Sequence, residues 1–393
     1  MLKILRFFVF LTSIITILCE STIQYLNLTI NTKNPLIEIN NMSFSIRMDI
    51  PMLIFKKECS ESNETKMIEL NGVQKNIPLC KENIININNI STNITQKIGA
   101  NSNLENYFGL GKISNDAELS IIESLNKQNK NFTKKIMFES YLNKFCNSTK
   151  ETSNFYLGIY QKIEKDDKKL EEREMEISFD NENRTNYSGW ATKKFNGYYF
   201  GNGSDYDADM MKDNSTFINL SDSDTAIFQE GISYKEPSIF PDTYLEKLLN
   251  LTNKYGCKKI IVDNDTLTSQ LKCDERNLSL FLVFDKNALK VNSLFVNNGS
   301  NFINILFKKN QTDYILNPSI LGSLHRFYNY SNNIFGISSS CEEIIDLTEP
   351  TVKESIITII IITILVIIIT FIVMKLMKKD TNDNVDYNNM QQI

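Results

Sequence analysis

From Ser21 to about Ile345, apolar residues come in short runs rich in Ile, Phe, Tyr, Thr and Val. Clusters of Asn, Gly and Asp punctuate them. Runs of that length between turn-forming residues predict a mainly β protein. Two stretches break the pattern with helical spacing. Glu118 to Leu125 sets Leu119, Ile122 and Leu125 on one face, and Pro241 to Lys254 sets Tyr244, Leu245, Leu248 and Leu249 on one face. Proline at the start of the second suits a helix N-terminus. Each follows a glycine-bearing strand, so a strand–helix unit occurring twice points to internal duplication. About 325 residues are too many for one small core and suit two lobes.

The two ends read differently. Residues 1–19 open with Lys3 and Arg6, continue with an apolar core from Phe7 to Leu18, and close on Cys19. That is the pattern of a secretory signal peptide. Ile356 to Met374 is an apolar run interrupted only by threonines, with Lys375, Lys378 and Lys379 directly after it. About 20 apolar residues cross the hydrocarbon core of a bilayer, and the lysines place the C-terminus on the cytosolic side. The expectation is a type I single-pass membrane protein with a lumenal or extracellular ectodomain, on a plasma-membrane or endolysosomal route. Residues 346–355 are the juxtamembrane linker and 375–393 the tail, where Tyr387-Asn388-Asn389-Met390 has the form of a tyrosine-based sorting signal.

Composition agrees with export. The net charge of −5 gives no basic footprint for nucleic acid. Six cysteines remain after the signal: Cys59, Cys80, Cys146, Cys257, Cys273 and Cys341. An even number in an exported chain reads as three disulfides. There is one histidine, His325, and no CxxC pair, so neither a metal site nor a cofactor is expected. About eighteen Asn-x-Ser/Thr sequons, roughly twice what composition alone would give, predict a glycosylated surface.

Five stretches carry a resemblance. Phe44-Ser45-Ile46-Arg47-Met48-Asp49 is an apolar strand ending in an aspartate. Tyr107-Phe108-Gly109-Leu110-Gly111 precedes the first helical pattern. Ile136 to Leu142 and Phe155 to Gly158 form a strand pair. Ala226-Ile227-Phe228-Gln229-Glu230-Gly231-Ile232-Ser233 is a second apolar strand and turn. Ile315-Leu316-Asn317-Pro318 leads to Phe327 through Ile337. In this order they resemble the pepsin-like aspartic peptidases, whose two active-site loops read apolar run, then Asp-Thr-Gly-Thr/Ser-Ser. The resemblance implies a two-lobed β fold with a cleft between lobes, residues 20–165 forming the first lobe and 166–345 the second. A C-terminal transmembrane helix follows. The charged run from Lys162 to Glu176 lies where the lobes would join and reads as a solvated linker or hairpin.

The same resemblance makes Asp49 the match to the first catalytic aspartate and Gln229 the occupant of the second position. The family's chemistry needs two carboxylates sharing one proton, one as base toward water and one as acid toward the scissile carbonyl. An amide cannot do this. Asp49 is followed by Ile50-Pro51 instead of Thr-Gly, Glu230 replaces the second Thr, and Asn317-Pro318 replaces Gly-Asp. No Tyr-Gly-Thr-Gly-like flap hairpin is evident. The expectation is an inactive homologue that binds a polypeptide or cell-surface ligand in its cleft. The alternative is an active endopeptidase using Asp49 with Asp224, of Asp224-Thr225-Ala226, or with Glu230. By analogy with the family, the disulfides pair as Cys59–Cys80, Cys257–Cys273 and Cys146–Cys341. Trp190, the only tryptophan, and His325 are expected to be structural, and Phe200-Gly201-Asn202-Gly203 to be a hairpin turn.

Overall fold

The computed structural model describes residues 26–57, 64–70, 73–87, 90–111, 120–128, 132–143, 145–158, 174–178, 190–202, 217–275, 278–285, 287–291, 302–338, 341, 343–346 and 359–375. The expected signal peptide, most of the charged run, Gly203 and the tail motif lie outside them.

The first half carries β1 (Leu26–Asn31), β2 (Leu36–Ile39), β3 (Met42–Arg47), β4 (Leu53–Phe55) and β5 (Glu64–Leu70). These are followed by β6 (Val73–Ile87), β7 (Ile90–Ala100), β8 (Tyr107–Gly109), helix α1 (Ile121–Gln128), β9 (Lys135–Phe138) and β10 (Thr152–Leu157). The second begins with β11 (Glu174–Ser178), β12 (Trp190–Thr192), β13 (Phe195–Asn202), β14 (Ile218–Asn219), β15 (Ala226–Phe228) and β16 (Ser238–Pro241). Next come α2 (Leu245–Thr252), β17 (Lys258–Asp263), β18 (Thr268–Lys272), β19 (Leu278–Phe284), β20 (Asn287–Val291), β21 (Phe302–Lys308) and β22 (Tyr314–Leu316). A short α3 (Pro318–Leu321), β23 (His325–Asn329), β24 (Ile334–Ser338) and β25 (Glu343–Asp346) complete it. The mainly β expectation holds.

Local pattern explains the strands. In β1 the residues Leu26, Leu28 and Ile30 are buried while those between them are exposed, the period of two of a strand with one wet face. Strand β19, Leu-Ser-Leu-Phe-Leu-Val-Phe, is buried at every position, as a central strand covered on both faces must be. The helices also follow their patterns. Among α1 residues, Ile121, Ile122 and Leu125 are buried, and the helix lies a few residues later than expected, ending at Gln128. Around α2 the chain makes a 3-10 turn at Asp242–Tyr244 and another at Asn253–Tyr255. Leu245 and Leu248 face the core.

The two halves are duplicated in their sheets. The strand order β3-β8-β4-β7-β6-β5 in one half matches β15-β22-β16-β21-β18-β17 in the other. Each step has the same direction: parallel, antiparallel, parallel, antiparallel, antiparallel. Helices α1 and α2 are not each other's counterparts in it, which corrects the expectation drawn from them. Helix α1 follows β8, whose counterpart β22 is followed by α3, whereas α2 follows β16. The duplication lies in hydrogen-bonded strand order, and helices are only the connections between strands.

A joint sheet links the lobes. Strands β10 and β9 from the first half continue into β23, β24 and β11 from the second through the β9–β23 pairing. Glu174 to Glu176, the end of the charged run, therefore belong to a strand, β11, and not to a linker. One apolar core spans both lobes, with Trp190 buried against Tyr328 and Tyr330 at ring-centroid distances of 5.0 and 4.8 Å. Cys146–Cys341 crosses 195 residues of sequence and Cys257–Cys273 crosses 16, as expected. Cys80 is disulfide-bonded too, while Cys59 lies outside the described residues.

Residues 359–375 are helical and exposed throughout. Among the described residues no helix is long and apolar enough to cross a membrane; of the expected span 356–374, residues 356–358 lie outside the described residues.

Candidate interlobe site

The strand ends that should carry the chemistry meet where the lobes touch. Gly231, two residues past Gln229, has φ +81°, and a Cβ there would overlap the carbonyl oxygen of Ile46 in β3. Only glycine allows both that backbone conformation and that approach. The second loop thus lies directly on the first strand.

Sheet register then identifies counterparts. Ile54 pairs with Tyr107 as Ile239 pairs with Ile315, which makes Phe108 the counterpart of Leu316. Across the parallel ladders Ile46 lies opposite Phe108 and Phe228 opposite Leu316. The residue after each is Arg47 in one lobe and Gln229 in the other. By register the partner position of Gln229 is therefore Arg47, and Asp49 is two residues further on, the counterpart of Gly231. The sequence match of Asp49 followed the nearest aspartate; hydrogen-bond register shifts the frame by two.

Arg47 and Asp49 are joined side by side. Arg47 Nε donates to Asp49 Oδ1 at 2.8 Å and Nη2 to Oδ2 at 2.5 Å, a bidentate geometry. The guanidinium carbon lies 5.6 Å from the centre of the Tyr107 ring. Both side chains are partly exposed, at 18% and 28%. The hydrogen bond to Asp49 raises the Arg47 pKa further above its usual value, against the downward pull of burial. The group at this strand end is a permanent cation.

Gln229 donates its backbone N–H to the Leu316 carbonyl at 3.0 Å, which holds the loop to β22. The next residue, Glu230, is drawn inward. Its carboxylate accepts from Arg326 Nε at 2.5 Å, from Arg326 Nη2 at 3.1 Å and from the Tyr328 hydroxyl at 3.1 Å. Both ion-pair side chains are fully buried. Arg326 also donates to the carbonyls of Leu321 and Leu324, at 3.0 and 2.6 Å, and lies over the Tyr141 ring at 5.0 Å. Burial alone would lower the Arg326 pKa, but Glu230 and the tyrosines around it carry it upward. Burial also raises the Tyr328 hydroxyl well above its usual range, and Glu230 adds to that shift.

The other candidate acid is distant. Asp224 precedes β15 at the end opposite Gln229, about 16 Å away at the rise of an extended chain. Its carboxylate accepts from the backbone and hydroxyl of Ser221, at 2.7 and 2.9 Å. His325 is structural: its Nδ1 accepts the Ser140 N–H at 3.2 Å. Burial first, then Lys150 and Arg326, lowers its pKa to about 3. Among the described residues no cluster of acidic, cysteine or histidine side chains could hold a metal. A hairpin does stand at the edge of the first lobe, with Glu64–Leu70 on Val73–Leu79. The family's flap wording is missing there, but a paired hairpin is not. Sequence reading missed Arg47 and Arg326. For Arg47 the sequence holds no clear signal: Ala226-Ile227-Phe228 runs unbroken to Gln229, but Ser45 interrupts Phe44 and Ile46 before Arg47. For Arg326, 96 residues from Glu230, the sequence holds no signal.

The fold is the two-lobed, internally duplicated β fold of the pepsin-like aspartic proteinases, with the cleft between lobes that goes with it. Among solved structures, the aspartic proteinase from Irpex lacteus is similar, with a TM-score of 0.53 over 80% of this chain and 97% of that one. Their identity is 11%, so the likeness shows the fold alone. No protein-family model matches the chain, and no curated protein is similar to it in sequence.

Proposed function

We propose that this protein is a membrane-anchored, glycosylated homologue of the pepsin-like aspartic peptidases that does not cleave peptides. In this reading it holds an extended polypeptide or cell-surface ligand in the interlobe cleft. One observation carries it: the two residues that sheet register makes equivalent at the strand ends are Arg47 and Gln229. Neither can share a proton as a carboxylate dyad does. The nearest carboxylates are engaged elsewhere, Asp49 with Arg47 and Glu230 with Arg326. A groove without chemistry can still hold an extended chain through backbone hydrogen bonds, and Arg47 adds donors suited to carbonyl or carboxylate oxygens.

The anchor is the apolar run 356–374, of which residues 359–374 are helical and exposed, with lysines after it. Glycosylation is supported by the exposure of sequon asparagines Asn27, Asn41, Asn147, Asn219, Asn264 and Asn310. The test of inactivity is cleavage of a mixed peptide library at acid pH by the purified protein, with a pepstatin-type inhibitor and Asp49→Asn as controls. No cleavage is expected from folded, disulfide-intact protein. Cleavage that the inhibitor blocks and Asp49→Asn abolishes would restore the active-peptidase reading with Asp224 or Glu230 as second acid.

A further inference from the structure

Gln229 stands on a piece of backbone that is fixed on both sides. Phe228 before it is buried and stacks on Phe335 of β24, with ring centroids 4.2 Å apart. Glu230 after it is buried and held by Arg326 and Tyr328 of β23. Gly231 lies against the Ile46 carbonyl of β3 in the first lobe. The Gln229 N–H itself donates to Leu316 of β22. Four strands thus pin four consecutive residues, and the Cα of Gln229 is placed before any ligand arrives, the condition for a contact that costs little ordering.

Its side chain is not held in the same way. It is partly exposed, and among the described residues no hydrogen bond ties its amide down. The charged groups nearby along the chain are committed: Arg47 Nε and Nη2 donate to Asp49, and Glu230 is closed off by Arg326. Gln229 therefore offers an uncommitted amide on a rigid strand end. A side-chain amide carries a carbonyl acceptor and an NH2 donor on one carbon. On one edge of an extended chain the N–H and C=O of a single residue point the same way, the pair that a neighbouring strand engages in a ladder. An amide matches that pair with two hydrogen bonds. The match is to main chain, so it accepts any side chain at that residue except proline, which has no N–H.

We infer that Gln229 sets the register of a ligand's main chain: its side-chain amide hydrogen-bonds the N–H and C=O of one residue of an extended polypeptide, whatever side chain that residue carries. This rests on the reading of the interlobe cleft as a polypeptide site and names the contact that fixes where along the cleft the ligand sits. The position that register makes equivalent to a catalytic strand end thus reads backbone in place of cleaving it.

The experiment screens the purified full-length chain in mild detergent against an array of random octapeptides. The tightest binder is then resynthesised with each backbone amide N-methylated in turn. Affinities are measured for wild type and for Gln229→Met, which keeps the length of the side chain and drops both hydrogen bonds. Gln229→Ala is the second variant, and unchanged thermal unfolding verifies folding of each. In wild type, N-methylation at one position is expected to cost about fivefold through the bond to Gln229. In both variants the unmodified peptide binds at least that much more weakly, and N-methylation at the same position costs nothing further. The other positions keep their costs in all three proteins. Identical N-methylation profiles in wild type and both variants would overturn this inference and leave the cleft reading in place. An array without a binder would overturn the cleft reading, and this inference with it.

Discussion

The two lobes share one strand order and direction through six strands, yet their central strand ends are braced by opposite means. In the first lobe, β3 ends in an ion pair between Arg47 and Asp49 that lies partly in solvent. In the second, the residue after Gln229 is locked in a fully buried pair, Glu230 with Arg326. From Arg47 to Ile54 the chain runs seven residues, and from Gln229 to Ile239 it runs ten. The short connection crowds Gly109, where a Cβ would meet the carbonyls of Met52 and Ile50. The longer one leaves room at the equivalent position for Asn317, whose Nδ2 donates to the Pro237 carbonyl at 2.9 Å and whose N–H donates to the Ser238 hydroxyl at 3.0 Å. The same β scaffold thus carries one loop braced by a partly exposed ion pair and another committed to the joint between lobes. Strand pairing fixes where loops start; the loops' lengths and partners decide what they do.

The sharpest way to break the contrast is to remove one partner from each ion pair. Arg326→Leu leaves Glu230 buried and unpaired, and is expected to lower unfolding free energy by about 3–5 kcal/mol. The matching change in the first lobe, Arg47→Leu, exposes Asp49 to water and should cost about 1 kcal/mol or less. Chemical denaturation of both variants checks the pair. Equal costs would mean that the buried bridge is not the joint described here.

Next in size is the acid response of the interlobe sheet. The pKa of His325 is near 3 in the folded protein and near its ordinary 6.5 when unfolded. The unfolded chain therefore binds the extra proton first. The contribution from keeping His325 neutral is whole above pH 6.5 and is lost as pH falls from there toward 3, at no more than about 1.4 kcal/mol per unit. His325→Gln keeps an acceptor for the Ser140 N–H and should flatten the fall in stability across this window. Unfolding curves between pH 7 and pH 4 for both proteins decide it; parallel slopes would remove His325 from the account.

The smallest expected effect concerns the loops. Asn317→Gly removes one side-chain hydrogen bond and should cost about 1 kcal/mol, measurable by the same denaturation. A cost of several kcal/mol would show that Asn317 holds the second loop more firmly than its two hydrogen bonds indicate.

Much of this molecule is legible in its residues. Period-two alternation in Leu26–Asn31, the unbroken apolar strand Leu278–Phe284, the helical stripe at Leu245 and Leu248 and the Cys257–Cys273 hairpin are local patterns. Burial of one face, or of both, follows from them directly. The five matched stretches also pointed to the two-lobed fold. What sequence could not supply was the frame at the first strand end, where the nearest aspartate drew the match to Asp49. Residues along a strand carry no mark of which cross-strand neighbour they meet; hydrogen bonds to Tyr107, Phe108 and Gly109 set that, and they select Arg47. The same holds for Glu230, whose exposure as a candidate acid or burial as a structural one depends on Arg326, 96 residues away. Alternation and apolar runs are set by neighbours along the chain, so the sequence alone determined the elements and their class. Register, ion-pair partners and the meeting of Gly231 with Ile46 are set by contacts between distant segments, and only the folded arrangement of the two lobes decided them.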